Sequence, residues 1–162
     1  MNMLLEMYEY HAWANRMLLE RLMELPPEVF HGELKSVFPS ISSVFSHMYT
    51  VDQLWFHIIS GMDMPEALGV EKASGEGKTA DEMRTMFQKL SQAYTETLTI
   101  QTNGHELRWL DIPWEGKRET SLSEMVLHVV THGTYHRGNA TAMLHQMGYT
   151  SITTDMTVYW FV

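Results

Sequence analysis

The stretch SLSEMVLHVVTHGTYHRGNATAMLHQMG, residues 121–148, reads as a helix that carries its own start and stop signals. Ser121 with Glu124 three residues later is a capping-box pattern, in which each side chain satisfies a backbone N–H that the first helical turn leaves without a partner. Gly148 stands at the C′ position, where a helix commonly ends in the left-handed conformation. Between these ends, Leu122, Met125, Val126, Val129, Gly133, Ala140, Met143, Leu144 and Met147 recur at helical spacing and form one stripe. Successive helical residues are about 100° apart, which puts His136 about 35° from the stripe's centre, His132 about 75° and His128 about 115°. His132 and His136 therefore point into the core, His128 sits at its margin and His145 faces solvent.

Three further segments show the same period. One runs from Met3 to Leu25 and is stopped by Pro26-Pro27, with His11 and Asn15 among its apolar residues. A second starts after Pro39, with Ser40 or Ser42 as cap, and reaches about Ser60. Its stripe is Ile41, Val44, Phe45, Met48, Val51, Trp55, Ile58 and Ile59; Asp52 falls inside it, His47 near its edge, and His57 points away. A third opens on the capping box Thr79-x-x-Glu82 and continues to about Gln101. Met62–Lys78 reads as a long Gly-rich surface connection, Glu106–Glu119 as a short hairpin or ordered loop, and the aromatic tail Thr150–Val162 as a segment that packs on the rest. Four long helices without a convincing strand set imply an all-α four-helix bundle, expected as a single domain over residues 1–162.

Composition narrows the chemistry. Eleven basic against twenty acidic residues, a net charge of −9, argue against nucleic acid or an anionic membrane as partner. The apolar runs are too short to span a bilayer, and the N-terminal residues are acidic where a signal peptide would be basic. A cytoplasmic protein is expected. With no cysteine and nine histidines, any metal site must use His, Asp or Glu. The fourteen methionines point to an adaptable core rather than to a function.

A single core-facing histidine is more often a hydrogen-bonded core residue than a ligand. The pair His132-x-x-x-His136 differs, because residues four apart share a helix face and both imidazoles can reach a common point. His47 from a second helix would complete three nitrogen ligands and leave a position open, the arrangement of catalytic rather than structural metal sites. His11 is the main rival, and His128 a weaker one. Asp52 reads first as the partner of an Arg or the cap of a neighbouring helix, and otherwise as a carboxylate that orients a ligand imidazole; Asn15 has the same two readings. Arg137 is a candidate for an anionic substrate group, with an interhelical ion pair or a dimer contact at least as plausible. Tyr135 flanks His136 on the opposite side.

The run from Leu122 through His132-Gly-Thr-Tyr-His136-Arg-Gly138-Asn resembles the C-terminal signature of the DinB family of metal-binding four-helix proteins. Tyr10-His-Ala-Trp-Ala-Asn-Arg-Met-Leu resembles that family's first helix. Ser43-Val-Phe-Ser-His-Met-Tyr-Thr-Val-Asp-Gln-Leu-Trp resembles its second, whose His is the first metal ligand. The three blocks occur in the family's order and span nearly the whole chain. The resemblance implies a left-handed up-down-down-up bundle, a site made of His47, His132 and His136 for one divalent transition metal (zinc, nickel or iron), and a homodimer. It also implies metal-dependent chemistry with low-molecular-weight thiols as S-transferases or isomerases, although some relatives have no known activity and were first noted as inducible by DNA damage.

Three functional classes follow. A metal-dependent thiol S-transferase, taking a small thiol and an electrophile, is the leading expectation. A metal-dependent hydrolase would need a general base, for which Asp52 and Glu124 are the candidates. A non-catalytic metal-binding stress protein is the third.

Overall fold

The computed structural model describes residues 2–70 and 75–162. The helices α1 (Met3–Met23), α3 (Ile41–Ile59), α5 (Ala80–Ile100) and α6 (Leu122–Gln146) are the four long elements read from the sequence. Their ends are set chemically. Ser40 Oγ accepts from the backbone N–H of Ser43 at 3.1 Å, and reciprocal capping boxes close the starts of α5 (Thr79 with Glu82) and α6 (Ser121 with Glu124). At the far end of α6, Gly148 takes φ +85°, its N–H reaches the carbonyl of His145, and the N–H of Tyr149 reaches that of Leu144. This pair of bonds is a Schellman cap, which only a residue comfortable at positive φ supports cheaply.

Two apolar clusters fill the bundle. One joins the start of α1 (Leu4, Tyr8) to the ends of α3 (Trp55, Ile58, Ile59) and α5 (Tyr94, Leu98) and the start of α6 (Leu122, Met125, Val126). The other joins the end of α1 (Leu18, Leu22) to the starts of α3 (Ile41, Phe45) and α5 (Met83, Phe87) and the end of α6 (Met143, Leu144). Burying each such side chain stabilises by about 1.5–3 kcal/mol. Their membership fixes the directions: α1 and α6 run one way, α3 and α5 the other, an up-down-down-up bundle. Because α3 and α5 are consecutive yet parallel, the chain between them must travel back along the bundle, which explains the long 60–79 connection. Between the two clusters lies a waist where the buried residues are polar: His11, Asn15, Asp52, His136 and Arg137.

The structure adds elements that periodicity does not reveal. After Met23 the chain does not simply stop; Pro27 opens a short helix, α2 (Pro27–His31), where a missing N–H costs nothing. The Gly-rich connection contains α4 (Met64–Val70), anchored by buried Met64 and Ala67, while its residues 71–74 lie outside the described residues. Residues 106–119 form the hairpin alternative, with β1 (Leu107–Ile112) antiparallel to β2 (Gly116–Ser121). Arg108 of β1 donates to the carbonyls of Ile59 (2.6 Å) and Ile58 (3.3 Å), tying the hairpin to the end of α3, where Gln101 Nε2 also reaches the Ile59 carbonyl and the Gly61 N–H that of Ile58. The tail ends in α7 (Met156–Tyr159), whose Tyr159 packs on Tyr10 and Trp13, while Trp160 and Phe161 remain exposed. Among the described residues, no helix is long and apolar enough to cross a membrane.

Candidate metal centre

α3 and α6 pack antiparallel, and this brings His47 opposite the pair His132 and His136. Ligand-competent atoms of the three residues all lie within 4.8 Å of one another. The Nε2 atoms of His47 and His132 are 3.2 Å apart. Two imidazoles bound to one zinc at about 2.0–2.1 Å in tetrahedral geometry would hold their nitrogens about 3.3 Å apart. The rings of His47 and His136, and of His132 and His136, meet edge-on at 4.6 and 4.4 Å.

Electrostatics favour free lone pairs here. Burial, followed by the neighbouring imidazoles, pushes His132 down to about 3 and His136 down to about 4. Burial also lowers His47, with Asp52 opposing it. At neutral pH all three rings are uncharged, the state in which imidazole ligates a metal without first losing a proton. The amide nitrogen of Asn139, one turn beyond His136, lies 3.2 Å from His136 Nδ1. With its amide turned so that the oxygen accepts from Nδ1–H, it would fix the tautomer that leaves Nε2 free. Among the described residues, His132 Nδ1 is buried and has no hydrogen-bond partner. The donor set, the spacing and the protonation states fit a metal ion.

One wall of the cluster comes from the loop before α3. The Phe38 ring lies 5.5 Å from that of His47 and edge-on to His136 at 5.4 Å. The loop is closed by the Leu34 N–H bonding the Pro39 carbonyl at 3.0 Å. Neither Phe38 nor Asn139 is singled out by the sequence; an Asn three residues after a candidate ligand on the same helix was the available signal for the second.

The rivals sit elsewhere. His11 is fully buried in the waist, where its Nε2 lies 2.7 Å from Asp52 Oδ2. Arg137 donates to Asn15 Oδ1 at 2.8 Å and Thr134 Oγ1 at 2.9 Å, and approaches His11 Nδ1 at 3.4 Å. His11 Nδ1 thus faces the guanidinium, while Nε2 faces both the Asp52 carboxylate and the Asn15 amide nitrogen, the latter at 2.9 Å. Asp52 pairs with an imidazole of α1, not with an Arg, and Arg137 spends its donors inside the bundle rather than on an outside anion. Gly133 makes this layer possible, since a Cβ there would collide with the His11 ring and stand 3.0 Å from Arg137 Nη1. His128 is exposed, its ring 4.7 Å from Trp55 and stacked at 5.8 Å on His132. Glu124 is engaged at the start of α6 with Ser121 and Arg118, about 12 Å along the helix from His132 at 1.5 Å per residue.

The sequence model of the DinB family matches residues 1–162. Protein DinB from Bacillus subtilis (strain 168) is 43 % identical over 160 residues, covering 97 % of this chain and 93 % of that protein. The crystal structure of a DinB-like protein from Bacillus cereus ATCC 10987 superposes with a TM-score of 0.70 at 16 % identity, over 93 % of this chain and 94 % of the other. At that identity the likeness concerns the fold. The chain belongs to the DinB family.

Proposed function

We propose that His47, His132 and His136 hold one divalent transition metal and that the protein is a metal-dependent S-transferase acting on a small-molecule thiol and an electrophile. The observation that carries this reading is the convergence of three neutral imidazoles from two helices with no fourth protein ligand beside them among the described residues. Bound there with a position open, such an ion supplies Lewis acidity that lowers the pKa of a coordinated thiol and favours the thiolate nucleophile. The chain's own part is to hold the three rings in place: His136 through Asn139, His47 and His136 through the Phe38 ring, and α6 through the waist. The imidazoles act as ligands, and none is left to serve as an acid or base. Hydrolysis is less well supported, because Glu124 is committed to its cap and one oxygen of Asp52 to His11.

The test begins with untagged protein, whose bound metals are measured by mass spectrometry beside a His132→Ala, His136→Ala double variant. Near-stoichiometric metal in the first, lost from a still-folded second, supports the site. Transfer assays with bacillithiol, glutathione and mycothiol against a generic electrophile then test the activity. Metal-loaded protein that conjugates none of them would refute the transferase reading while leaving the metal site intact.

A further inference from the structure

Asp52 and His132 each present a buried polar atom without a partner among the described residues: Oδ1 of the carboxylate and Nδ1 of the ring. The two are complementary, one an acceptor and the other able to carry a proton. His132 Nδ1 carries that proton whenever Nε2, which faces His47, offers its lone pair.

Contacts along the α3–α6 seam place the two atoms at one level of the bundle. His47 meets His132 at 3.2 Å, and Trp55 meets His128 at a ring distance of 4.7 Å. Asp52 lies between His47 and Trp55 on α3, so it sits opposite the stretch of α6 from His128 to His132. The same conclusion comes from α1: the His11 ring that holds Asp52 Oδ2 packs against Gly133, the residue after His132. The Asp52 backbone is itself fixed, its carbonyl accepting from the Tyr94 hydroxyl at 2.8 Å.

We infer that Asp52 is a positioning residue for the metal centre: its Oδ1 accepts the Nδ1 proton of His132 through one enclosed water, and thereby turns Nε2 toward His47 and His136. A carboxylate behind a ligand imidazole fixes the tautomer and raises the basicity of the ligating nitrogen. Asp52 thus serves two imidazoles at once, His11 through Oδ2 and His132 through Oδ1. The inference rests on the metal-site reading for its purpose, but its geometry can be tested without metal.

Nitrogen-15 NMR of the imidazoles in metal-free wild type is the first test. It should show His132 protonated at Nδ1 and its Nε2 accepting from His47. A His132 ring protonated at Nε2 overturns the inference whether or not metal binds. The second test compares metal affinity in Asp52→Asn and His11→Gln. The amide can satisfy only one of the two imidazoles as an acceptor, so Asp52→Asn should weaken binding by about 10–100-fold. His11→Gln disturbs the same waist but leaves Oδ1 free for His132, so it should weaken binding clearly less than Asp52→Asn. Equal weakening in both variants would reduce Asp52 to a packing role and overturn the inference. If Asp52→Asn does not fold, the NMR result decides alone. Wild type that takes up no metal yet shows the Nδ1 tautomer would refute the metal site and still support the Asp52–His132 link.

Discussion

Gly133→Ala should destabilise a helix that propensity alone says it would strengthen. Alanine is favoured over glycine in a helix interior by about 1 kcal/mol. Against this, the new Cβ would land on the His11 ring, which is fully buried and cannot swing aside because Asp52 and Arg137 hold its two nitrogens. Overpacking of this kind costs about 1–3 kcal/mol. Displacing the ring also weakens hydrogen bonds to charged groups, each worth about 1.5–3 kcal/mol. The net expectation is a loss of about 2–4 kcal/mol, or a fall in Tm of roughly 5–15 °C for a chain of this size. Gly138 provides the matched control: it lies on the same helix, and a Cβ there meets nothing within 4 Å. Gly138→Ala should therefore raise Tm by roughly 2–4 °C. Both variants would be melted in metal-free buffer and followed by circular dichroism. Two shifts of the same sign would refute the claim that His11 is clamped against α6.

Other outcomes follow from the same structure. The depressed pKa values of His132 and His136, about 3 and about 4, mean that the unfolded chain binds more protons than the folded one below pH 6.5. Metal-free protein should thus be fully stable above pH 6.5 and lose stability as pH falls toward 4, on the order of 2 kcal/mol by pH 5 after discounting for solvent at the half-buried His132. Urea midpoints at the two pH values measure this, and the His132→Ala, His136→Ala variant should lose most of the slope. Adding metal at a hundred times its Kd should stabilise wild type by about 2.7 kcal/mol and leave the double variant unchanged, read as a Tm shift at fixed pH. Arg108→Ala should cost only about 1 kcal/mol, because the Ile58 and Ile59 carbonyls keep the Gly61 and Gln101 donors, with faster amide exchange confined to the hairpin and the last turn of α3.

The long helices were legible because each long element carries chemical punctuation. Ser121 with Glu124, Thr79 with Glu82, Ser40 and Gly148 all act at the ends where the sequence places them. The wheel also ranked the α6 histidines in the right order: His136 buried, His132 half-buried, His128 and His145 exposed. It could not show where Asp52 and Arg137 would find partners. A wheel gives the angle of a residue about one axis, whereas their contacts depend on the axial offset between helices and on the reach of long side chains. So Asp52 met His11 rather than an Arg, and Arg137 turned inward to Asn15. The short helices α2 and α4 escaped notice for a different reason: with 5 and 7 residues, they complete too few turns to establish a period.

The polar waist bears on how the helices choose their alignment. Methionines such as Met48, Met83, Met125 and Met143 fill both halves of the core, and their flexible side chains would tolerate a helix sliding along its neighbours. The waist would not. A slip of one turn, about 5.4 Å, would carry His11 and Asn15 past Asp52 and Arg137 and leave a carboxylate and a guanidinium stranded in apolar surroundings. A forgiving core is thereby restricted to a single axial setting, much as one buried asparagine restricts a coiled coil. Since that layer adjoins the three imidazoles, the setting that fixes the bundle's register also determines how α3 and α6 present His47, His132 and His136 to one another.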